Sequence, residues 1–313
     1  MKKYLLLCIL LMSAAVHAQT SKRELAKMVN EGVDLLKLNL TDEAIEKFNQ
    51  VIKLDSTYAD AYFEIANTFY ITPMKKPDAL PYLQKLLQVD PKYTAGYDLL
   101  GNIYDDIGEA DKAIATYEKG MEVNPDYQRL YHNLAVCYYQ LEKFADAENY
   151  ALEAVRLQRD YTSSIRLYAL ATYKQQKLDR SLLGWCAFLM LENATGRSRE
   201  ANRYISEILS QGIGNTGVNA VTNKDLPTTD SLSLQLTRAF KIIAGTSKDK
   251  ASEQFNACFG EYFGKLADSG NMPAFTRFIT MSVKKDEDQA WLNEHQKELD
   301  SLTRWITATK ITF

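Results

Sequence analysis

The sequence predicts an all-α protein made of stacked helical hairpins, and three observations support this prediction. Apolar residues recur with the 3.6-residue period of a helix, as Tyr97, Leu100 and Tyr104 do on one predicted face. The same pattern returns 34 residues later, beginning at Tyr131. A second helical period lies between these two segments and ends before Pro125. A fixed period of this length indicates an array of hairpins rather than one globular core.

Each predicted hairpin has a small residue in both of its helices. In the first helices these residues are Gly32, Ala66, Gly101, Ala135 and Ala169. In the second helices they are Ala44, Ala79, Ala113 and Ala147. Small side chains let two antiparallel helices approach closely, and large neighbours fill the gaps beside them. The second hairpin contains one extra residue, which the pattern places between Phe69 and Ala79.

On these residues the chain resembles the tetratricopeptide repeat family, over about residues 24–195. The resemblance implies a right-handed solenoid, with repeats at residues 25–58, 59–93, 94–127 and 128–161 and a divergent fifth repeat at 162–195. The proline that closes a repeat is present as Pro91 and Pro125. The fifth repeat is divergent because Ser181 and Trp185 stand in its second helix. With a further helix at residues 198–211, the predicted solenoid domain spans residues 19–211.

The first 18 residues predict a signal peptide. Lys2 and Lys3 precede an apolar run that is too short to span a bilayer, and Val16-His17-Ala18 suits a cleavage site. Cys8 lies inside the run, without the small residues that precede a lipoprotein cleavage site. We therefore expect cleavage after Ala18 and export to a periplasm or to the cell exterior.

The remaining elements are predicted in chain order. The first helix should run from Ser21 to Leu38, and Thr41 should cap the second. The Gly-, Asn- and Thr-containing residues 212–230 predict a loop. The segment 231–313 predicts four helices, at Ser231–Ala244, Lys248–Ala267, Met272–Met281 and Asp286–Thr307. The sequence leaves open whether this segment caps the array or forms a module of its own.

Composition and charge narrow the function classes. The 313 residues are 46% hydrophobic and 25% charged, as in ordinary folded proteins. The net charge is −3, or about −5 without Lys2 and Lys3, which argues against broad binding to nucleic acid. Apart from Cys8, the cysteines are Cys137, Cys186 and Cys258, whose odd number and wide spacing favour buried thiols. A Cys186–Cys258 disulfide is left open.

The motifs associated with chemistry are weak. Residues 212–217 read GIGNTG, but a predicted helix precedes them where dinucleotide binding requires a strand. His295 and Glu298 stand three residues apart on a predicted helix, and no second histidine is near. His132 is the other histidine of the predicted mature chain. The sequence therefore predicts no metal, cofactor or catalytic site, and we expect a protein that is not an enzyme.

The family resemblance implies that the first helices line a concave groove that binds a partner. The candidate groove residues are Phe63, Asn67, Tyr70, Asp98, Asn102, Asp105, His132, Asn133, Tyr139, Arg166 and Tyr173. Asparagine amides can donate to and accept from an extended peptide backbone. Asn102 and Asn133 also resemble the asparagines of the subgroup that grips a terminal carboxylate. However, Asp98 and Leu167 stand where that subgroup has Lys or Arg, so capture of this kind is not expected.

Charge along the predicted groove is uneven. The acidic residues toward its amino end are Asp60, Glu64, Asp98, Asp105 and Asp106, and the basic ones toward its other end are Arg129, His132, Arg166 and Lys174. This distribution predicts a bipolar groove that orients a partner segment. The alternative is that these charges pair across adjacent repeats and only solvate the surface.

The sequence thus predicts a non-catalytic scaffold that binds a peptide or partner protein. One alternative is a structural role, in which the convex face or the carboxyl-terminal helices form a homo-oligomer. Another is a ligand-binding or enzymatic carboxyl-terminal module, which a deep pocket lined by Trp291 and Trp305 would favour and a packed helical cap would oppose.

Overall fold

A computed structural model describes residues 22–72, 76–192, 195–212, 229–246, 253–280 and 294–309. Within these ranges all regular structure is helical and no strand occurs, which confirms the all-α prediction. The predicted signal peptide, most of the predicted loop at 212–230 and Trp291 lie outside the described residues. No described helix is long and apolar enough to cross a membrane.

The helices follow one another with short connections. Helix α1 spans residues 22–37. The next helices are α2 (Thr41–Leu54), α3 (Ala59–Ile71), α4 (Leu80–Val89), α5 (Thr94–Asp106), α6 (Ala110–Val123), α7 (Gln128–Gln140) and α8 (Phe144–Leu157). They are followed by α9 (Thr162–Lys174), α10 (Leu178–Leu191), α11 (Gly196–Gln211), α12 (Thr229–Thr246), α13 (Glu253–Asp268), α14 (Met272–Thr280) and α15 (Gln296–Ala308).

The chain divides into two compact units, Met1–Leu130 and Tyr131–Phe313, here called unit 1 and unit 2. In unit 1, consecutive helices from α2 to α6 pack against one another. In unit 2, α8 packs on α9, α9 on α10 and α10 on α11. Helices α4 and α6 end two residues before Pro91 and Pro125, as the closing prolines predict.

The close approach expected at the small residues is present in the hairpins. A β-carbon added to Gly32 would lie 2.3 Å from Cε1 of Phe48, and one added to Gly101 would lie 2.2 Å from Cε1 of Tyr117. The predicted alanines are likewise fully buried, namely Ala44, Ala66, Ala79, Ala113, Ala135, Ala147 and Ala169. A ring from the second helix therefore occupies the volume that the missing side chain leaves in the first.

The extra residue of the second hairpin lies in the connection between its helices, because four residues separate Ile71 from Lys76 where three separate α5 from α6. A 3₁₀ helix, Lys76–Ala79, precedes α4, which at 10 residues is shorter than the second helices α2 and α6. Ala79 remains fully buried at the end of this turn. The insertion is thus confined to the segment before α4 and leaves the contact between the two helices in place.

The fifth hairpin is regular despite its divergent sequence. Ser181 is fully buried at the position of the small residue, and its Oγ donates a hydrogen bond to the Ala169 carbonyl oxygen at 2.8 Å. Trp185 is also fully buried and stacks on Tyr204 of α11, with ring centroids 4.9 Å apart. The serine is tolerated because its hydroxyl is satisfied, and the indole is tolerated because α11 covers it.

The predicted extra helix is present as α11. It begins at Gly196, 34 residues after the start of α9 at Thr162, so it continues the register of the first helices. Thr195 caps it: its hydroxyl accepts from the Arg197 amide, while Ser198 Oγ accepts from the Thr195 amide. The helix starts two residues earlier than predicted because Thr195 is its N-cap and Ser198 is the third residue of the helix.

The described carboxyl-terminal helices share one hydrophobic core with α9, α10 and α11. The rings of Phe240, Phe263 and Phe275 pack together there, with the first two centroids 4.6 Å apart. Asn202 of α11 also donates a side-chain hydrogen bond to the Ile279 carbonyl oxygen at 3.1 Å. A common core and a shared hydrogen bond are what a cap on the last hairpin requires, whereas an independent module would have its own core.

One predicted cap is wrong. Thr41 is the first residue of α2, the N-cap position is occupied by Leu40, and no side chain caps this helix. Asp42 and Glu43 nevertheless stand in its first turn, where their charge is favourable to the exposed amides. The two acidic side chains of the first turn therefore stabilise this helix end in the absence of the predicted threonine cap.

Candidate partner-binding faces

The candidate residues lie on the first helices of the hairpins. In unit 1 they lie on α3 and α5, which pack against each other through a small contact. In unit 2 they lie on α7 and α9. Unit 1 and unit 2 therefore each carry a candidate face of their own.

Helix α3 presents a stripe of partly exposed side chains in unit 1. Phe63, Asn67 and Tyr70 are each half-buried. The Phe63 ring contacts Tyr93, which directly precedes α5, with centroids 5.3 Å apart. The amide of Asn67 makes no side-chain hydrogen bond to any residue that the structure describes. The stripe therefore combines two aromatic side chains with a polar group that is available to a ligand.

Two carboxylates lie beside this stripe. Asp60 Oδ1 accepts a hydrogen bond from the Tyr93 hydroxyl at 2.9 Å. Glu64 is half-buried, and neither an ion pair nor a side-chain hydrogen bond joins its carboxylate to another described residue. Burial, and then repulsion from Asp60, raise the pKa of Glu64 above its ordinary value. The ionised form of Glu64 is therefore disfavoured, because no cation among the described residues lies beside it.

The inserted segment supplies a cation to the other end of α3. Lys76 Nζ lies 5.0 Å from the centroid of the Tyr70 ring and 2.7 Å from Asp106 Oδ2. We did not identify Lys76 from the sequence. The extra residue between Phe69 and Ala79 was the available signal, because an insertion next to Tyr70 can bring a new side chain onto its ring.

The candidates on α5 are less exposed than predicted. Asp98 is only 3% exposed, and its Oδ2 lies 3.0 Å from Nε of Arg129. Asn102 is half-buried, and its Oδ1 accepts a hydrogen bond from the Tyr117 hydroxyl at 2.7 Å. Asp105 is half-buried at the end of the same stripe. Asp98 is therefore a buried partner of Arg129 rather than an exposed groove residue.

Helix α7 contributes three candidates to unit 2, all of them half-buried. His132 Nδ1 lies 3.0 Å from Ser164 Oγ, and its ring meets Tyr161 edge-on at 5.2 Å. Tyr139 meets Phe144 edge-on at 5.3 Å, and Asn133 lies beside His132 in the sequence. Although His132 and Ser164 are the residue types of a nucleophile and its base, Ser164 is fully buried and out of reach of a substrate.

The candidates on α9 are engaged by α11. Arg166 makes two hydrogen bonds to Glu200, Nε–Oε2 at 2.7 Å and Nη2–Oε1 at 2.9 Å. The Tyr173 hydroxyl donates to Glu207 Oε1. Each pair is separated by 34 residues, so adding one period to Arg166 and Tyr173 would have identified both glutamates. We missed them because α11 lacks the small residue of the repeat.

These contacts show which of the charges behind the predicted bipolar groove are paired within the protein. Asp98 pairs with Arg129, Asp106 with Lys76 and Arg166 with Glu200. Four of the nine charges that suggested a bipolar surface, Asp98, Asp106, Arg129 and Arg166, thus form ion pairs across adjacent repeats, as the alternative left open above expects. Among the described acidic residues of α3, Glu64 keeps a carboxylate without such a partner.

The remaining chemical candidates have structural explanations where they are described. Cys137 and Cys186 are buried and form no disulfide, and burial raises the pKa of Cys186. The disulfide left open for Cys186 is therefore not formed, and the side chain of Cys258 lies outside the described residues. His295 is the N-cap residue of α15, and the described residues contain no group of three ligands that could hold a metal ion.

Of the two tryptophans expected to line a pocket under the module alternative, the structure describes Trp305 but not Trp291. Trp305 is half-buried and packs on Tyr262 with centroids 5.0 Å apart. Tyr262 in turn meets Phe263 edge-on at 5.4 Å. The Trp305 indole thus takes part in the packing between α13 and α15.

Comparisons with known proteins identify the repeat. A family model described as "TPR repeat" matches residues 34–71 and 101–142, and one described as "Tetratricopeptide repeat" matches residues 128–161. The chain is 36% identical to RNA polymerase II-associated protein 3 of Homo sapiens over 110 residues, which are 35% of this chain and 16% of that protein. It is 28% identical to the Hsp70-Hsp90 organizing protein of Triticum aestivum over 113 residues, which are 36% of this chain and 19% of that protein.

The chain thus spans less than a fifth of the length of these two relatives. A crystal structure of MamA is similar over 54% of this chain and 91% of its own length, with a TM-score of 0.48 and 19% identity. Together with the hairpins described above, the two family matches lead to one conclusion: the chain contains tetratricopeptide repeats, over residues 34–71 and 101–161.

Proposed function

We propose that this protein is a non-catalytic interaction scaffold, and that the first helices of its repeats bind a peptide or an extended segment of a partner protein. The observation that carries the proposal is the α3 stripe. Phe63, Asn67 and Tyr70 lie at spacings of four and three residues, all are partly exposed, and the Asn67 amide has no described partner.

The chemistry of this stripe suits an extended chain. An asparagine amide offers a donor and an acceptor, which a peptide group of the ligand satisfies in turn. Aromatic side chains on either side supply contact area with little loss of side-chain entropy, and such residues dominate many interfaces. Since the rings are already held by Tyr93 and Lys76, binding requires little reorganisation of the face.

The similarity to the Hsp70-Hsp90 organizing protein supports the proposal at the level of the repeat, because that protein's name describes an organising role between two other proteins. We carry over only the general idea of protein recognition. The identity of the partner is not part of the proposal.

We also propose that the protein is exported and acts in a periplasm or outside the cell, on the basis of the predicted signal peptide. Mass spectrometry of the protein recovered after expression in a bacterial host checks this directly. A mature amino terminus at Gln19 supports the proposal, and a chain that retains residues 1–18 contradicts it.

Selection from a library of random 12-residue peptides tests the binding function. We expect the protein to retain peptides whose affinity falls at least about tenfold in Asn67→Ala. Glu118→Ala is the matched control, because Glu118 is exposed on α6, a second helix. The proposal fails if no peptide is retained, or if Asn67→Ala binds the retained peptides as tightly as the control does.

Light scattering on the same sample separates this function from the assembly alternative. A monomer that binds peptide supports the scaffold, whereas a stable oligomer whose affinity for peptide is unaffected by Asn67→Ala supports a structural role.

A further inference from the structure

We propose that the α3 face of unit 1 binds a positively charged side chain of the partner, an arginine, at Glu64 and Asn67. This inference rests on the proposed function and adds the chemistry of the partner to it. It follows from the distribution of charge over the helices, from the state of Glu64 and from the groups around it.

The first helices α3 and α5 carry acidic residues and neither Lys nor Arg. Their acidic residues are Asp60, Glu64, Asp98, Asp105 and Asp106. Each of the second helices α2, α4 and α6 contains at least one lysine. Negative charge is therefore concentrated on the helices that carry the candidate residues, which favours a basic occupant.

The protein itself neutralises part of this charge. Arg129 pairs with Asp98, and Lys76 pairs with Asp106. Asp60 accepts the hydrogen bond of the Tyr93 hydroxyl. Glu64 has no such partner among the described residues, although it is half-buried and adjacent to Asp60. A half-buried carboxylate without a cation is stabilised by any ligand that brings one.

The surroundings of Glu64 favour a guanidinium over an ammonium. Asn67 lies three residues after Glu64, within one turn of the same helix. Its side-chain oxygen can accept a hydrogen bond from the group that pairs with Glu64. The Phe63 and Tyr93 rings lie in contact beside it. A guanidinium presents several donors in one plane and also packs on aromatic faces, whereas an ammonium is a compact and strongly hydrated charge.

The peptide selection described above tests this inference through the composition of the retained peptides. We expect one position to be enriched in arginine. Replacing that arginine with citrulline, which keeps the shape and removes the charge, should weaken binding at least about tenfold. Glu64→Gln should weaken binding of the arginine peptide by a similar factor and leave the citrulline peptide almost unaffected. Glu118→Gln, on an exposed second-helix face, should change neither affinity.

The outcomes distinguish the two proposals. If the retained peptides depend on Asn67 but lack an enriched basic residue, or bind Glu64→Gln as tightly as the original protein, the charge inference is overturned and the scaffold function stands. If lysine is enriched and arginine is not, the preference for guanidinium is overturned. If no peptide is retained, the scaffold function itself fails. The citrulline peptide keeps the test valid even if Glu64→Gln folds poorly.

Discussion

Asp98 and Arg129 form an ion pair in which the carboxylate is buried and the guanidinium is largely exposed, with Oδ2 and Nε 3.0 Å apart. The pair gives Asp98 a structural role, whereas the sequence pattern assigns this residue to the surface of a groove. Reversing the charge at Asp98 would bring a cation into the interior next to Arg129. The effect on folding would therefore mask any effect on binding, so Glu64 and Asn67, which are only half-buried, are the better positions for binding experiments.

We expect Arg129→Gln to lower the free energy of unfolding by about 1–3 kcal/mol, because it leaves a buried carboxylate without its cation. Lys119→Gln is the matched control, since Lys119 is exposed on α6 and takes part in no described ion pair. Urea unfolding followed by circular dichroism measures both. Equal stability of the two variants would show that the ion pair contributes nothing.

Glu148 joins the fourth and fifth repeats through a buried cluster. Its carboxylate, 4% exposed, accepts hydrogen bonds from Lys177, Arg180 and Gln175. We expect Glu148→Gln to lower the free energy of unfolding by about 2–4 kcal/mol. Glu153→Gln removes a surface pair with Arg156 from the same helix and should cost less than about 1 kcal/mol. The same unfolding assay compares them, and a smaller loss for Glu148 than for Glu153 contradicts the prediction.

The contact between Gly101 and Tyr117 predicts the cost of one added methyl group. Gly101→Ala would place a β-carbon 2.2 Å from the buried ring and so force it to move. We expect a loss of about 1–3 kcal/mol in the free energy of unfolding. Gly196→Ala, where no atom lies within 4 Å of the added carbon, should be neutral or slightly stabilising. Thermal unfolding of the two variants is sufficient, and a neutral Gly101→Ala would contradict the tight contact.

The raised pKa of Glu64 predicts a dependence of stability on pH. A carboxyl group whose pKa is higher in the folded protein contributes stability below its unfolded pKa, and this contribution is lost as pH rises through the folded pKa. Asp60 and the Tyr93 ring are the neighbouring titratable groups that face it.

Glu64→Gln removes this loss. The free energy of unfolding of the variant minus that of the original protein should therefore increase from pH 4 to pH 7. Urea unfolding at the two pH values measures this difference. A difference in stability that does not change with pH, or one that falls, would contradict the environment described for Glu64.

The 34-residue period, with one extra residue in the second hairpin, predicted helical hairpins up to α10, because helix packing depends on small and large residues that the sequence displays directly. Even the divergent fifth hairpin follows the period, since Ser181 is small enough for its position and its hydroxyl finds a carbonyl oxygen. The start of α11 could have been placed at Gly196 by the same arithmetic.

The period could not predict which charged side chains are exposed and which are paired within the protein. Whether a carboxylate such as Asp98 faces solvent or an arginine depends on how far a side chain reaches from the next helix, which a one-dimensional pattern does not contain. Lys76 illustrates the same limit, because its contact with Tyr70 depends on a 3₁₀ turn that the sequence indicated only as an extra residue. The groove residues themselves remain a prediction of the family resemblance.

The pairing of Arg166 with Glu200 restricts how this array could grow or shrink during evolution. Duplicating a hairpin in the middle of an array copies both sides of each junction. Truncating the chain between α10 and α11 would instead remove Glu200, which pairs with Arg166, and Glu207, which accepts the hydrogen bond of the Tyr173 hydroxyl. Loss of α11 should therefore destabilise the fifth hairpin, because Arg166 and Tyr173 would lose the acceptors that it supplies.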